Sequence, residues 1–193
     1  MGVVEIHPHD EGWPARFREV AARLRSALGD LATRIDHIGS TSVEGLDAKD
    51  VIDVQISVID DSGLELAAAT LESEGWARSP RIDRDHRPAG STSADPEWRK
   101  KLLTEPPGFR RVNAHVRIDG RANQRYALLF RDYLRTHPDS AQAYARLKKD
   151  LAMLLPHDAG RYADTKDAAC DLIYLAAEEW APVTGWNAGR SDA

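Results

Sequence analysis

Apolar positions in the first part of the chain recur at helical spacing. Trp13, Phe17, Val20, Leu24 and Leu28 fall at steps of three or four, which puts them on one face of a helix over residues 13–28, with Gly29 as its stop. Residues 33–38 are partly β-branched and read as a strand that runs into the turn Gly39-Ser40-Thr41-Ser42, and residues 51–59 read as a second strand. A helix over 62–74 follows, opened by Asp61 and Ser62 and closed by Gly75, and a third strand lies around 76–79. Residues 80–110 are rich in Pro, Gly, Ser and charge and read as a long loop with one short helix near "EWRKKLL". The stretch "RVNAHVRI", 111–118, is the next strand, ended by Gly120.

Beyond residue 120 every apolar period is helical. Tyr126, Leu129, Phe130, Tyr133 and Leu134 form one stripe, Tyr144, Leu147, Leu151 and Leu154 a second, and Ala169, Cys170, Ile173, Ala177 and Trp180 a third. The order predicts an α+β fold: a sheet-bearing core over 1–120, a C-terminal helical segment over 121–181 packed on it, and a flexible tail over 182–193.

Side chains alternate across a strand, so the faces of the two longest strands can be sorted. Ile52, Val54, Ile56 and Val58 oppose Asp53, Gln55 and Ser57; Val112, Ala114, Val116 and Ile118 oppose Arg111, Asn113, His115 and Arg117. Each strand has one apolar face and one polar face. A sheet with one face open to water explains this without a site. A cleft explains it as well, because an acid, amides, an imidazole and guanidinium groups are more varied chemistry than solvation needs.

Composition narrows the classes. With 193 residues, 42% of them hydrophobic, and five Trp, the chain can bury a single core. The net charge of -5 argues against a nucleic-acid partner. Against that balance, residues 80–111 hold eight basic side chains and five acidic ones, which fits either a solvated loop or a lid that draws in an anion. The single cysteine, Cys170, excludes an internal disulfide and reads as core; His7 and His9 stand alone and suggest no zinc site. No apolar run approaches the roughly 20 residues of a membrane span, and the N-terminus carries no secretory pattern, so a cytoplasmic protein is expected. Met1-Gly2 opens like an N-myristoylation signal, but Ile6 stands where Ser or Thr is needed. Arg131, Asp132 and Arg135 read as surface ion pairs, and His37 as a hydrogen-bonded structural histidine beside the turn.

The turn is not a Walker loop, since five residues separate Gly39 from Gly45 and Leu46 follows, and "GSTS" is no nucleophile elbow. Gly-Ser at a strand end, with an acid 13 residues after Ser40 inside an apolar strand, resembles the nucleotidyltransferase fold of the polymerase beta superfamily. More narrowly, "HIGSTSVEGL", "KDVIDVQISV", "NAHV", "LLFRDYLRTHP" and "YARLKKDLA", with Tyr162 and Lys166 ahead of the last helix, resemble the GrpB family.

The resemblance implies a mixed nucleotidyltransferase-like sheet and a nucleotide pocket. By it, Gly39, Ser40, Thr41 and Ser42, with Lys49 and Lys166, would bind the phosphates of a nucleoside triphosphate co-substrate. Asp53 would hold Mg²⁺ or Mn²⁺ or act as a base, His115 would shuttle a proton, and Gln55, Asn113, Arg117 and Tyr162 would meet a phosphorylated small molecule. The match to the superfamily is incomplete. Gln55 stands where a second carboxylate belongs and the strand with Asn113 and His115 supplies no third, whereas two-metal transfer relies on such charges. Some dephospho-coenzyme A kinases carry a similar domain, so the alternative is a non-catalytic binding or accessory, chaperone-like module with a degenerate metal site.

Overall fold

The computed structural model describes residues 3–193; Met1 and Gly2, where the N-myristoylation pattern would start, lie outside the described residues. Helix α1 (Trp13–Leu28) carries Pro14 in its first turn and ends at Gly29, whose φ of 52° suits only glycine. β1 (Arg34–Ile38) leads through a 3₁₀ turn (Ser40–Ser42) to β2 (Ile52–Val58), and α2 (Asp61–Ser73) follows. The cap of α2 is Asp60, which accepts from the Gly63 N–H at 2.8 Å, one residue ahead of the expected Asp61.

Next come β3 (Ala77–Arg78), β4 (Lys101–Thr104) and β5 (Val112–Ile118), then α3 (Ala122–Thr136), α4 (Pro138–Leu154) and α5 (Ala159–Thr184). The five strands form one sheet of order β1-β2-β5-β4-β3, in which β2 and β5 are parallel and the other neighbours antiparallel. The architecture is the expected α+β one with a mixed sheet.

The apolar faces of β2 and β5 meet α1 and α2 in the main core, where Trp13, Phe17, Leu24, Ile52, Ile56, Leu64, Leu71, Val112 and Val116 are all buried. Each such side chain contributes roughly 1.5–3 kcal/mol, far more than helix propensity does, so this face fixes the layer. The opposite, polar face is not open to water at its Gln55–Ser57 end. Helix α3 covers that end: Gln55 Nε2 donates to the Gln124 carbonyl at 3.2 Å and Gln124 Nε2 to Ser57 Oγ at 3.3 Å.

Two segments differ from the sequence expectation. "EWRKKLL" forms no α-helix; a 3₁₀ turn (Asp95–Trp98) precedes β4, whose Leu103 enters the core while Lys101 pairs with Glu65. Its Lys and Leu are helix formers by propensity, and the empty sheet edge beside β5 overrides them. The tail, expected to fray, lies along edge strand β1. Ser191 Oγ accepts from the Ile35 N–H, Asp192 Oδ2 from the His37 N–H, and the Ala193 N–H donates to the Ile35 carbonyl. These are the outward-facing groups that an edge strand leaves unpaired.

Candidate functional site

A cavity of about 420 Å³ opens between the polar face of β2 and β5, the turn after β1, and helices α3, α4 and α5. Glycine at position 39 makes the approach of turn to strand feasible. Its φ of 70° and ψ of -173° belong to glycine, and a Cβ there would lie 2.5 Å from Asp53 Oδ2. The Asp53 carboxylate therefore lies directly against the turn backbone.

Within the turn only Ser40 turns its hydroxyl to a cavity lysine: Lys148 Nζ donates to Ser40 Oγ at 2.9 Å. Thr41 borders the cavity, but its Oγ1 shares a hydrogen bond with His37 Nε2 at 3.0 Å. Ser42 does not line the cavity; its Oγ donates to the Gly39 carbonyl at 2.6 Å and its own carbonyl accepts two bonds from Arg135. His37 stacks on Phe17 with ring centroids 4.7 Å apart, so it is the structural histidine expected. Arg135 is the expected exposed partner of Asp132, at 3.4 Å, whereas Arg131 is not a surface residue. Arg131 is buried and binds Asp132, Asp192 and the His37 carbonyl, tying α3 to β1 and the tail.

On the strands, register places Asp53 beside Asn113, Gln55 beside His115 and Ser57 beside Arg117, all on one face. Asn113 Nδ2 donates to Asp53 Oδ1 at 2.8 Å, and His115 Nε2 lies 3.6 Å from the same oxygen. Burial opposes ionisation of Asp53, but His115, Asn113 and Lys49 outweigh it and hold the carboxyl below its usual range. Burial, then the nearby Lys100 and Arg117, depress His115 to about 4, so the ring is neutral at pH 7. Its Nδ1 faces the donors Lys100 Nζ at 3.4 Å and Arg117 at 3.5 Å, which assigns the ring proton to Nε2, toward Asp53.

Gln55 is withdrawn from the cavity and fully buried, with Oε1 accepting from Arg117 at 2.7 Å. Lys49 sits at the rim, its Nζ 5.3 Å from the centre of the Tyr162 ring, and Tyr162 and Lys166 share the cavity wall on α5. The structure thus gathers Gly39, Ser40, Thr41, Lys49, Asp53, Asn113, His115, Arg117, Tyr162 and Lys166 around one space, and leaves Ser42 and Gln55 outside it.

Several lining residues were not foreseen. Residues 83–85 pair with 98–100 as a hairpin extension of β3 and β4, which carries Asp85, His86, Trp98 and Lys100 to the cavity. Asp85 receives Arg117 Nε and a second guanidinium nitrogen at 2.8 Å each, Lys100 Nζ at 2.6 Å and Asn123 Nδ2 at 3.0 Å. Burial opposes its charge, yet Arg117 and Lys100 hold it far below the carboxylate range. His86 fastens the hairpin tip to Asp171 of α5 at 3.0 Å. Lys148 was hidden in the second helical stripe, and burial among neighbours that include Lys166 lowers it to about 7. Cys170 also reaches the wall, with Tyr144 Oη at 3.4 Å and Lys166 Nζ at 3.3 Å from its sulfur.

The donor set does not fit a pair of divalent ions. Asp53 is one carboxylate, the neighbouring acid Asp85 is saturated by two cations, and among the described residues no three His, Cys, Asp or Glu side chains cluster as metal ligands. Among the described residues, too, no helix is long and apolar enough to cross a membrane.

Comparison with known proteins places the chain in a family and a fold. The family described as "GrpB protein" matches residues 3–175. A dephospho-CoA kinase of Mycolicibacterium paratuberculosis is 33% identical over 196 residues, covering 95% of this chain and 48% of that protein. This chain thus spans about half the length of that relative. The crystal structure of the conserved protein GrpB from Enterococcus faecalis superposes with a TM-score of 0.74 at 28% identity, covering 91% of this chain and 99% of that one. The GLD-2/RNP-8 complex shares the fold alone, with a TM-score of 0.50 at 10% identity over 90% of this chain and 61% of that one.

Proposed function

The chain belongs to the GrpB family, and from that premise we propose that it binds a small phosphorylated molecule, a nucleotide among the candidates, in the cavity between its sheet and its helices. The observation that carries this reading is where unmet hydrogen-bonding capacity lies. Of the four buried side-chain polar atoms without a partner among the described residues, three, Trp98 Nε1, Asn123 Oδ1 and Tyr162 Oη, belong to residues that line this cavity. Each costs about 1–3 kcal/mol while unpaired, and a ligand group or water that reaches it would remove that cost. The Asn123 amide is oriented by two acceptors on its Nδ2, Asp85 and the Arg99 carbonyl, so its oxygen is the end left over.

The wall divides by chemistry. Lys49, Lys148, Lys166 and Ser40 suit a phosphate, and Trp98, Tyr126, Phe130 and Tyr144 form an aromatic side for an apolar or planar group. Thermal unfolding in the presence of each nucleoside triphosphate and of inorganic pyrophosphate tests the reading. A rise in midpoint that disappears in Ser40→Ala supports it; no rise with any phosphate compound refutes it.

Nucleotidyl transfer is the second reading, favoured by Asp53. With Oδ1 held by Asn113 and Oδ2 against the turn, the ionised carboxylate would, on this reading, accept the proton of a hydroxyl or amine that attacks the α-phosphorus of a nucleoside triphosphate, whose leaving group is pyrophosphate. Pyrophosphate release with a metabolite extract, lost in Asp53→Asn, is the test. A cytoplasmic setting fits the single unpaired cysteine.

A further inference from the structure

We propose that this site handles its phosphorylated ligand without a divalent metal, the Arg117 guanidinium standing permanently in the place where the acids of a two-ion site would hold their cation. The proposal deepens the ligand-binding reading above and rests on it for the chemistry of the ligand.

Position 55 is the second place on β2 where a metal-binding acid would be sought, and both ends of its amide are already committed. Oε1 accepts from Arg117 at 2.7 Å and Nε2 donates to the Gln124 carbonyl at 3.2 Å. The remaining guanidinium nitrogens form a two-pronged pair with Asp85 at 2.8 Å each. Arg117 thus bridges a strand amide and a hairpin carboxylate, two oxygen donors that a cation could otherwise recruit. It is almost fully buried, 5% exposed, so its charge cannot swing out to water to make room. A divalent ion at Gln55 Oε1 would meet a fixed positive group within hydrogen-bond distance, and displacing that group would leave a buried charge unpaired.

Overall charge in the cavity points the same way. Five cationic side chains, Lys49, Lys100, Arg117, Lys148 and Lys166, face three carboxylates, Asp53, Asp85 and Asp167. The excess is up to two positive charges before any ion enters, since Lys148, lowered to about 7, is only partly protonated at neutral pH. A phosphate monoester carries about -1.5 to -2 at neutral pH and matches it, whereas a divalent cation would double it. Burial is the first cause that lowers Lys148 and Lys100, while against its own burial Lys166 on the same wall is raised by Tyr144 and Cys170; a bound phosphate favours the charged form of all three.

Two measurements on the full chain test the proposal. Mn²⁺ is titrated into the protein and followed by its free-ion electron paramagnetic resonance signal, with and without inorganic pyrophosphate. Pyrophosphate is then titrated calorimetrically in excess EDTA and in Mg²⁺. Expected are no saturable Mn²⁺ site and pyrophosphate affinities that agree within about threefold. A saturable Mn²⁺ site that is lost in Asp53→Asn, or a pyrophosphate affinity that rises tenfold or more, by about 1.4 kcal/mol, with metal, overturns it. Absence of pyrophosphate binding in both buffers marks failure of the ligand reading instead, and the Mn²⁺ titration then decides the metal question alone.

Discussion

Replacing Gly39 by alanine probes the contact on which the site is built. The backbone there has φ 70° and ψ -173°, a region that costs a non-glycine residue on the order of 1–3 kcal/mol. The new methyl would lie 2.5 Å from Asp53 Oδ2 and 3.0 Å from its Cγ and Cβ, well inside normal contact of ~3.5 Å, so the carboxylate must move. Moving it breaks the 2.8 Å bond from Asn113, a charge-assisted interaction of about 1.5–3 kcal/mol. Together these give a loss of roughly 3–5 kcal/mol out of the 5–15 kcal/mol of an ordinary domain. Urea unfolding followed by tryptophan fluorescence reads the change as a drop in midpoint. A double-mutant cycle with Asp53→Ala separates the two parts: Gly39→Ala should cost less in that background, because the clash with Oδ2 and Cγ is gone while the backbone strain persists. A cost below about 1 kcal/mol in the wild-type background would refute the reasoning, since strain alone should reach that value.

Three more outcomes follow from the charges. Lys148, lowered to about 7, must be protonated to hold a phosphate, so pyrophosphate affinity should fall as pH rises from 7 to 9, against the opposite pull of the ligand's own ionisation; Lys148→Arg should flatten the fall, as calorimetry across pH would report. His37 is lowered to about 4 by burial, whereas an unfolded histidine takes its proton near 6.5, so stability is lost as pH drops from 6.5 toward 4, by about 3 kcal/mol at most for this ring; His37→Gln should reduce that slope in urea midpoints. Asp85→Asn leaves Arg117 and Lys100 buried without their acid and should destabilise by roughly 3–5 kcal/mol in urea, yet tighten pyrophosphate binding, because the positive excess of the cavity grows.

Much of the layout is legible in the chain because it rests on strict periods. The alternation in "IDVQISV" and "VNAHVRI" sorts Asp53, Asn113, His115 and Arg117 to one face, where the structure has them, and the helical steps of Trp13 to Leu28 mark the covering helix. Other features depend on partners distant in sequence. Nothing local distinguishes Lys148 from a surface lysine of its stripe; only the fold brings it to Ser40, 108 residues away. Asp85 and Lys100 sit in a charged stretch that reads as loop, and their roles come from a hairpin that closes on β5 and α3. For Gln55 the period gives a face but not depth; α3 covers that end of β2, and Arg117 claims the amide. Ser42 departs from the expected phosphate role for a similar reason, since a 3₁₀ turn points successive hydroxyls in different directions.

The most direct measurement is a crystal structure of the protein grown with inorganic pyrophosphate. The account predicts a phosphate group within hydrogen-bonding distance of both Lys148 Nζ and Ser40 Oγ, with Lys49 and Lys166 turned toward it and Arg117 still bound to Gln55 and Asp85. Pyrophosphate seated instead in the outer groove lined by Arg110 and Arg111, with the inner cavity free of it, would contradict the account.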